Sequence, residues 1–454
     1  LKTTYPSERI CLLVALCTGL ALRLLILLRA SAIEMDGIGY ATMAEQFVRG
    51  LFGQALGNVF PPFYPLFVGL FHLVIPDVEL AGRLVSLVFG ILLIYVSFIF
   101  AKRILGSGGK AVLVAFLVAL HPYLVRYSGT VLSESLATLL FTVTVFTFYT
   151  GWQEESRWCI VASGLCLALT YLTRPEYLVF YAPFMACLLP KRRFRDMGLF
   201  LLPFLCLGLL YMGYLWSETG LVIVSRKVMQ SPFVSIKEFF GNIPLVAYEW
   251  FIAMFPPFLV FGAFGIGRVE RSYRNLVLLL LLFHILSLSY VSHATRRYSV
   301  EFIPLFMVFA VEGIYAGDGW LVKFFAGKVA RYALIVLIVC AAVFQSFAPP
   351  RYDRVLHKKA GLFLLHYDPG SVVACRLPLV AFYEKGTSVN LVTEMSGEKN
   401  LARFKRIISE RKVKYCAFDE ETERTLPFLG EYLSGCELVY AASEHGSFVR
   451  VYRF

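Results

Sequence analysis

The sequence predicts a polytopic α-helical membrane protein with about eleven transmembrane helices, followed by a C-terminal extracytoplasmic α/β domain. Three observations carry this expectation. Of 454 residues, 58% are hydrophobic and only 16% are charged, and the mean hydropathy is +0.69. Apolar windows of spanning length recur up to residue 348, and a helix needs ~20 such residues because the bilayer core offers no water to satisfy the backbone. From residue 349 onward charges become frequent and apolar runs shorten to strand length.

The windows fall near residues 10–31, 79–101, 110–125, 132–151, 158–173, 176–190, 197–216, 246–266, 275–291, 299–316 and 331–348. The first, within LKTTYPSERICLLVALCTGLALRLLILLRA, follows a basic flank and lacks a small-residue cleavage pattern, so it reads as a retained span. PPFYPLFVGLFHLVI, 61–75, is shorter and opens on prolines, as suits an interfacial or partly inserted helix. Between the windows, every second loop is basic: Lys102, Arg103 and Lys110, then Arg157, KRRFR at 191–195, Arg268, Arg271 and Arg274, and Lys323 with Lys328. The positive-inside rule then places the N-terminus in the cytoplasm; the expected location is a bacterial-type inner (plasma) membrane. EMDGIGY at 34–40, TRPE, HATRRY and the domain 349–454 fall outside. The net charge of +12 is spread over these short clusters, which points to membrane lipids as partners and away from nucleic acid.

Seven of the ten cysteines lie in apolar runs, where Cys behaves as a small hydrophobe. Cys375, Cys416 and Cys436 remain, an odd number without CxxC spacing, so neither a disulfide framework nor a metal site is expected. In the C-terminal domain SVVACR, SVNLVT, VKYCAFD, CELVYAA and SFVRVYRF read as strands. EKNLARFKRIISERK between them has helical spacing, with Leu401, Phe404, Ile407 and Ile408 on one face.

The outer loops hold Arg126, Arg174, Arg226, Lys227, Arg296 and Arg297 against the topological preference. Cations kept there suggest an anionic ligand, and a planar guanidinium suits phosphate. In LTRPEYLVF, Arg174 either snorkels to the interface beside Glu176 or clamps a lipid phosphate. In SHATRRYSVEFIPLF, the group His293, Arg296, Arg297 and Tyr298 is either a polar loop with an aromatic anchor or an anion site. In YSGTVLSESLATLLF, Ser133 is placed to cap a helix and Glu134 lies in its first turn. Glu134 is then a dipole-favoured acid, a second active-site acid or the orienting partner of an arginine. There is no HExxH, DxD, P-loop or dinucleotide fingerprint, and GSGGK at 106–110 reads as a turn.

These pieces, in this order, resemble the GT-C membrane glycosyltransferases, specifically the family 39 group of protein O-mannosyltransferases and lipid A aminoarabinose transferases. The resemblance spans the layout of residues 1–348 and rests on DGIGYATMAEQFVRG, PPFYPLF, SESL, TRPE and RRYSVEFIPLF. It implies a polyprenyl-phosphate-linked sugar donor and a lipid, glycan or protein acceptor at the outer face, with no cofactor. It also implies a catalytic acid in the first outer loop, here Asp36, and basic residues on the donor phosphate, here Arg174 and the Arg296, Arg297, Tyr298 group. Glu134 matches an outer acidic position, while Tyr40, His293 and Arg126 are assigned to the substrate cavity. Two departures stand out: Gly37 follows Asp36 where many members have a second acid, and Phe60 replaces the lysine that aminoarabinose transferases place before the paired prolines. The expected chemistry is inverting sugar transfer with Asp36 as general base. The alternatives are a transporter or lipid flippase, which would show related halves, and a non-catalytic assembly component led by the external domain.

Overall fold

The computed structural model describes residues 6–226, 234–290, 295–316, 328–347 and 351–454. It divides into two compact units, one of residues 1–28 and 39–348, the other of 29–38 and 349–454. His293 and Lys227 lie outside the described residues.

In the first unit five described helices are long and apolar enough to cross a bilayer: Pro6–Arg29, Val78–Leu105, Glu134–Gln153, Phe194–Thr219 and Arg271–Ser289. A sixth span forms if Ile236–Ala253 and Pro256–Gly265, bent by 96° at their break, count together. The count of eleven is thus not confirmed. The windows near 110–125, 158–173, 176–190 and 299–316 contain helices of 13, 15, 8 and 13 residues. At ~1.5 Å rise per residue these are too short for a ~30 Å core. Proline sets several of the breaks: Pro122 and Pro175 each open a new short helix, and the residue before each is extended.

Helices Pro256–Gly265 and Ile303–Tyr315 cross at close range. A Cβ on Gly265 would collide with the Phe309 carbonyl, and one on Gly313 with the Phe261 carbonyl. Small residues let backbones approach this closely in membranes. Gly313→Leu is therefore expected to cost ~1–3 kcal/mol through overpacking. A lowered unfolding temperature in detergent would register it; an unchanged transition would show that the crossing yields freely.

Arg23, fully buried in helix Pro6–Arg29, has a structural role. Its Nε donates to Ser128 Oγ at 3.2 Å, and Nη1 donates to the carbonyls of Gly19 and Ala119 at 3.1 and 2.9 Å. Ala119 sits in the last turn of helix Gly108–Leu120, where carbonyls lack intrahelical partners.

The second unit holds a five-stranded sheet in the order β2-β1-β3-β5-β4. The strands are β1 Val372–Cys375, β2 Thr387–Asn390, β3 Tyr415–Asp419, β4 Glu437–Glu444 and β5 Ser447–Arg453. β1 pairs in parallel with β2 and β3, while β5 runs antiparallel to β3 and β4. Alternation sorts the two faces. Val373, Cys375, Tyr415 and Ala417 pack against Leu356, Ala360 and Val380; Ala374, Cys416 and Phe418 pack against Leu391, Phe404 and Ile407. All five strand segments are found, but SVNLVT is split: Asn390 ends β2 and caps a short helix, its side chain accepting from the Thr393 N–H. Burial raises the Cys375 thiol to about 12, as befits a core residue.

Residues 29–38 belong to this unit, and their contacts with it include a hydrogen bond and an ion pair. The Ile33 N–H donates to Tyr383 Oη at 2.8 Å, and Arg354 pairs with Glu34.

Asp419, at the end of β3, receives Arg376 through Nε and Nη2 at 3.0 and 2.8 Å and lies 3.2 Å from His357 Nε2. Burial works to raise this carboxyl, yet hydrogen bonds from His357, Arg376 and Thr422 outweigh it and hold it well below the usual carboxylate range. A depressed folded-state pKa stabilises above the unfolded value, ~3.9, and that contribution is lost as pH falls below it. Acid unfolding of the domain, followed by circular dichroism, should steepen below about pH 4. Asp419→Asn should remove that step and lower stability at neutral pH.

Candidate functional site

In the membrane unit the sequence places three charged residues far apart that the fold brings together. Pro175 holds Arg174 in an extended conformation (φ −149°, ψ 115°) just after helix Arg157–Tyr171. Glu134 begins helix Glu134–Gln153. Arg297 sits in the 3-10 turn Arg296–Tyr298 that leads into Val300–Phe302 and helix Ile303–Tyr315.

Glu134 Oε1 accepts from Arg174 Nη1 at 2.8 Å and from Arg297 Nε at 2.6 Å. The Glu134 side chain is 1% exposed, that of Arg174 3% and that of Arg297 23%. Arg174 Nε also bonds Glu176 at 2.7 Å. The Tyr298 ring lies 4.8 Å from the Arg174 guanidinium and 5.9 Å from that of Arg297, within the range of cation–π attraction. Arg174 Nη2 and Glu134 Oε2 are buried without a hydrogen-bond partner among the described residues. Buried polar atoms are usually hydrogen-bonded, so these two donor and acceptor positions are available to a further polar group.

Two expected members point elsewhere. Arg296 bonds Glu249 at 2.9 Å and Tyr123 Oη at 3.4 Å, with its side chain 45% exposed. The tight 3-10 turn has three residues per revolution, so neighbouring side chains diverge by about 120°. Arg126 donates to the Gln345 carbonyl at 2.9 Å and covers the Tyr123 ring. Arg126 and Arg296 thus meet around Tyr123, a separate basic group from the one on Glu134.

Tyr40 does not line open space. It is buried, its hydroxyl 3.1 Å from Ser133 Oγ, and its ring packs on Phe60 and Tyr64. Ser133 accordingly makes no side-chain cap bond to the helix it precedes. Phe60 also occupies the space that a Cβ on Gly39 would need, so the residue standing in for lysine is a packing wall. Asp36 lies in the first turn of helix Met35–Val48, where the helix dipole favours negative charge.

Sequence reasoning missed a buried chain beside this cluster. His284 Nδ1 is 3.5 Å from Glu301, and Nε2 is 3.3 Å from Ser299 Oγ, with the ring stacked on Phe180. Both His284 and Glu301 are buried. The available signal was an ionisable residue inside each of two apolar runs. Among the described residues, no group of three or more His, Cys, Asp and Glu is placed to hold a metal.

The helical unit with its small C-terminal sheet domain defines a membrane protein of the GT-C glycosyltransferase fold. Residues 60–216, which include Glu134, Arg174 and Glu176, match the family model described as dolichyl-phosphate-mannose-protein mannosyltransferase. Among solved structures, the chain is similar to ArnT from Cupriavidus metallidurans bound to undecaprenyl phosphate, with TM-score 0.66 and 13% identity over 97% of each chain. It is similar to the Archaeoglobus fulgidus oligosaccharyltransferase tethered to an acceptor peptide, with TM-score 0.61 and 12% identity over 98% of this chain and 74% of that one. It is also similar to the arabinofuranosyltransferase AftD from Mycobacteria, with TM-score 0.54 and 15% identity over 100% of this chain and 42% of that one. No curated protein matches it in sequence.

Proposed function

We propose that this protein transfers a sugar from a polyprenyl-phosphate donor to a hydroxyl-bearing acceptor, with inversion at the anomeric carbon. The observation that carries the reading is the Arg174–Glu134–Arg297 arrangement, buried and already oriented, with Arg174 Nη2 still without a partner among the described residues. The polyprenyl phosphates named with the ArnT and archaeal oligosaccharyltransferase structures support that donor class.

In this reading Asp36 takes the proton from the acceptor hydroxyl as its oxygen bonds to the anomeric carbon. The bond from that carbon to the phosphate oxygen breaks, and its electron pair leaves with the polyprenyl phosphate. That group gains negative charge as it departs, so the guanidinium groups of Arg174 and Arg297 bind it more strongly in the transition state than in the ground state. Glu134 positions both arginines without meeting the sugar. Arg126, part-buried, and Arg296, 45% exposed, have Glu249 as their carboxylate partner among the described residues, and they attract the donor headgroup before it reaches the buried pair.

The test is transfer itself. Purified protein in nanodiscs is given radiolabelled polyprenyl-phosphate sugars and an acceptor extract, and products are read by mass spectrometry. A labelled glycan with inverted anomeric configuration is expected. Ligand flux in proteoliposomes without any transfer product would instead establish the transporter.

A further inference from the structure

We infer that Arg354 and Tyr383 are positioning residues for the transfer: they hold the start of the helix that carries Asp36, so the unit of residues 349–454 sets the direction of that acid. The inference rests on the reading of Asp36 as the general base. Helix Met35–Val48 opens as MDGIG, with glycine at its third and fifth positions. Glycine loses more backbone freedom on folding than any other residue, so this start is weak on its own. The first N–H groups of a helix also lack intrahelical acceptors. The grip comes from the residues just before it. The Ile33 N–H donates to Tyr383 Oη at 2.8 Å. Glu34 accepts from the Ile38 N–H through its carbonyl at 3.2 Å, while its carboxylate pairs with Arg354.

Both holding groups stand on a firm support. Arg354 lies in the first turn of helix Tyr352–Tyr367, and Tyr383 lies in helix Leu379–Glu384. These helices approach so closely that a Cβ on Gly361 would meet the Val380 carbonyl at 2.6 Å and the Tyr383 Cβ at 2.8 Å. Leu356, Ala360, Leu364 and Val380 then share one core with β1, β3 and β5. The contacts are shielded from water, which keeps them directional: Ile33 and Tyr383 are buried, and the Arg354 side chain is 13% exposed. Lys358 covers the Tyr383 ring at 4.7 Å. Asp36 follows Glu34 by two residues within the first turn, so the path of its backbone is set where Ile33 and Glu34 are held. A misplacement of 1 Å can cost ~10²-fold in rate, and a reacting group needs a rigid layer behind it.

Charge reversal in the full chain, in nanodiscs and with a polyprenyl-phosphate sugar as donor, tests this. Arg354→Glu and Glu34→Arg are each expected to lower kcat about tenfold to a hundredfold, with the donor KM within about twofold. Combined, they rebuild the pair in reverse, and kcat should return to within about threefold of the unaltered protein. Glu34→Gln still accepts from Arg354 and should cost far less. A second readout needs no activity. Tyr383→Phe keeps the ring and removes the acceptor, so hydrogen exchange of the peptide containing Ile33 should speed up about tenfold while the β-sheet stays protected. Full kcat in Arg354→Glu, a loss that the reversed pair does not recover, or unchanged exchange at Ile33 would each overturn the inference. Asp36→Asn separates it from the reading beneath it. Normal turnover in Asp36→Asn refutes the base and the positioning role with it, whereas an inactive Asp36→Asn beside an indifferent Arg354→Glu refutes the positioning role alone.

Discussion

Asp36→Asn is expected to lower turnover by ~10²–10⁴-fold, the usual contribution of a general base, while donor binding stays within about twofold. Asparagine keeps the shape of the side chain but cannot accept the proton. The contrast with Glu34 makes the experiment selective. Glu34 lies two residues away, and its carboxylate is already taken by Arg354. Glu34→Gln should therefore loosen the attachment of residues 29–38 and lower stability, with a much smaller effect on the chemical step. Single-turnover transfer, with donor affinity measured separately, distinguishes the two. Near-normal turnover in Asp36→Asn would remove it from the reaction.

The second large effect is expected at the shared carboxylate. Glu134→Ala leaves Arg174, at 3% side-chain exposure, without one of its two acids, and breaking a buried ion pair from one side costs ~3–5 kcal/mol. Unfolding temperature and donor affinity should fall together. Arg297→Ala removes a charged donor while sparing the Arg174–Glu134 bond. Its donor KM should rise about tenfold to a hundredfold, as follows from ~1.5–3 kcal/mol for a hydrogen bond to a charged group, with the acceptor KM unchanged. Arg296→Ala alters an exposed pair with Glu249 and should cost ~1 kcal/mol or less. Two adjacent arginines thus carry expectations of very different size. Equal effects on donor and acceptor KM would mean that the fold had been damaged rather than the phosphate grip.

Charge counting sharpens what the site does. Arg174 and Arg297 are matched by Glu134 and Glu176, so the buried group is close to neutral overall. On the proposed reading, affinity for phosphate would come from oriented donors rather than from excess charge. Preorganised donors of this kind act most strongly where charge develops during a reaction. The Arg126 and Arg296 group, with Glu249 as its carboxylate, retains a net positive charge suited to capture.

The sequence by itself determined the membrane class, the five strands of the C-terminal domain and the motifs that hold Glu134, Arg174 and Arg297. Each of these follows from local properties: apolar length, period-two alternation, and a proline or a charge at a helix end. Tertiary structure alone decided which charges meet. Arg174 is 40 residues from Glu134, and Arg297 is 163 residues away. Nothing within RRY distinguishes Arg297 from Arg296 until the 3-10 turn sends their side chains in different directions. Likewise Glu34 and Asp36 look alike in EMDGIGY, and only the fold shows that Glu34 pairs with Arg354, 320 residues on. Long-range pairing depends on how helices cross and where the chain returns, and single-sequence patterning, which reports on neighbours three or four residues apart, carries no record of it.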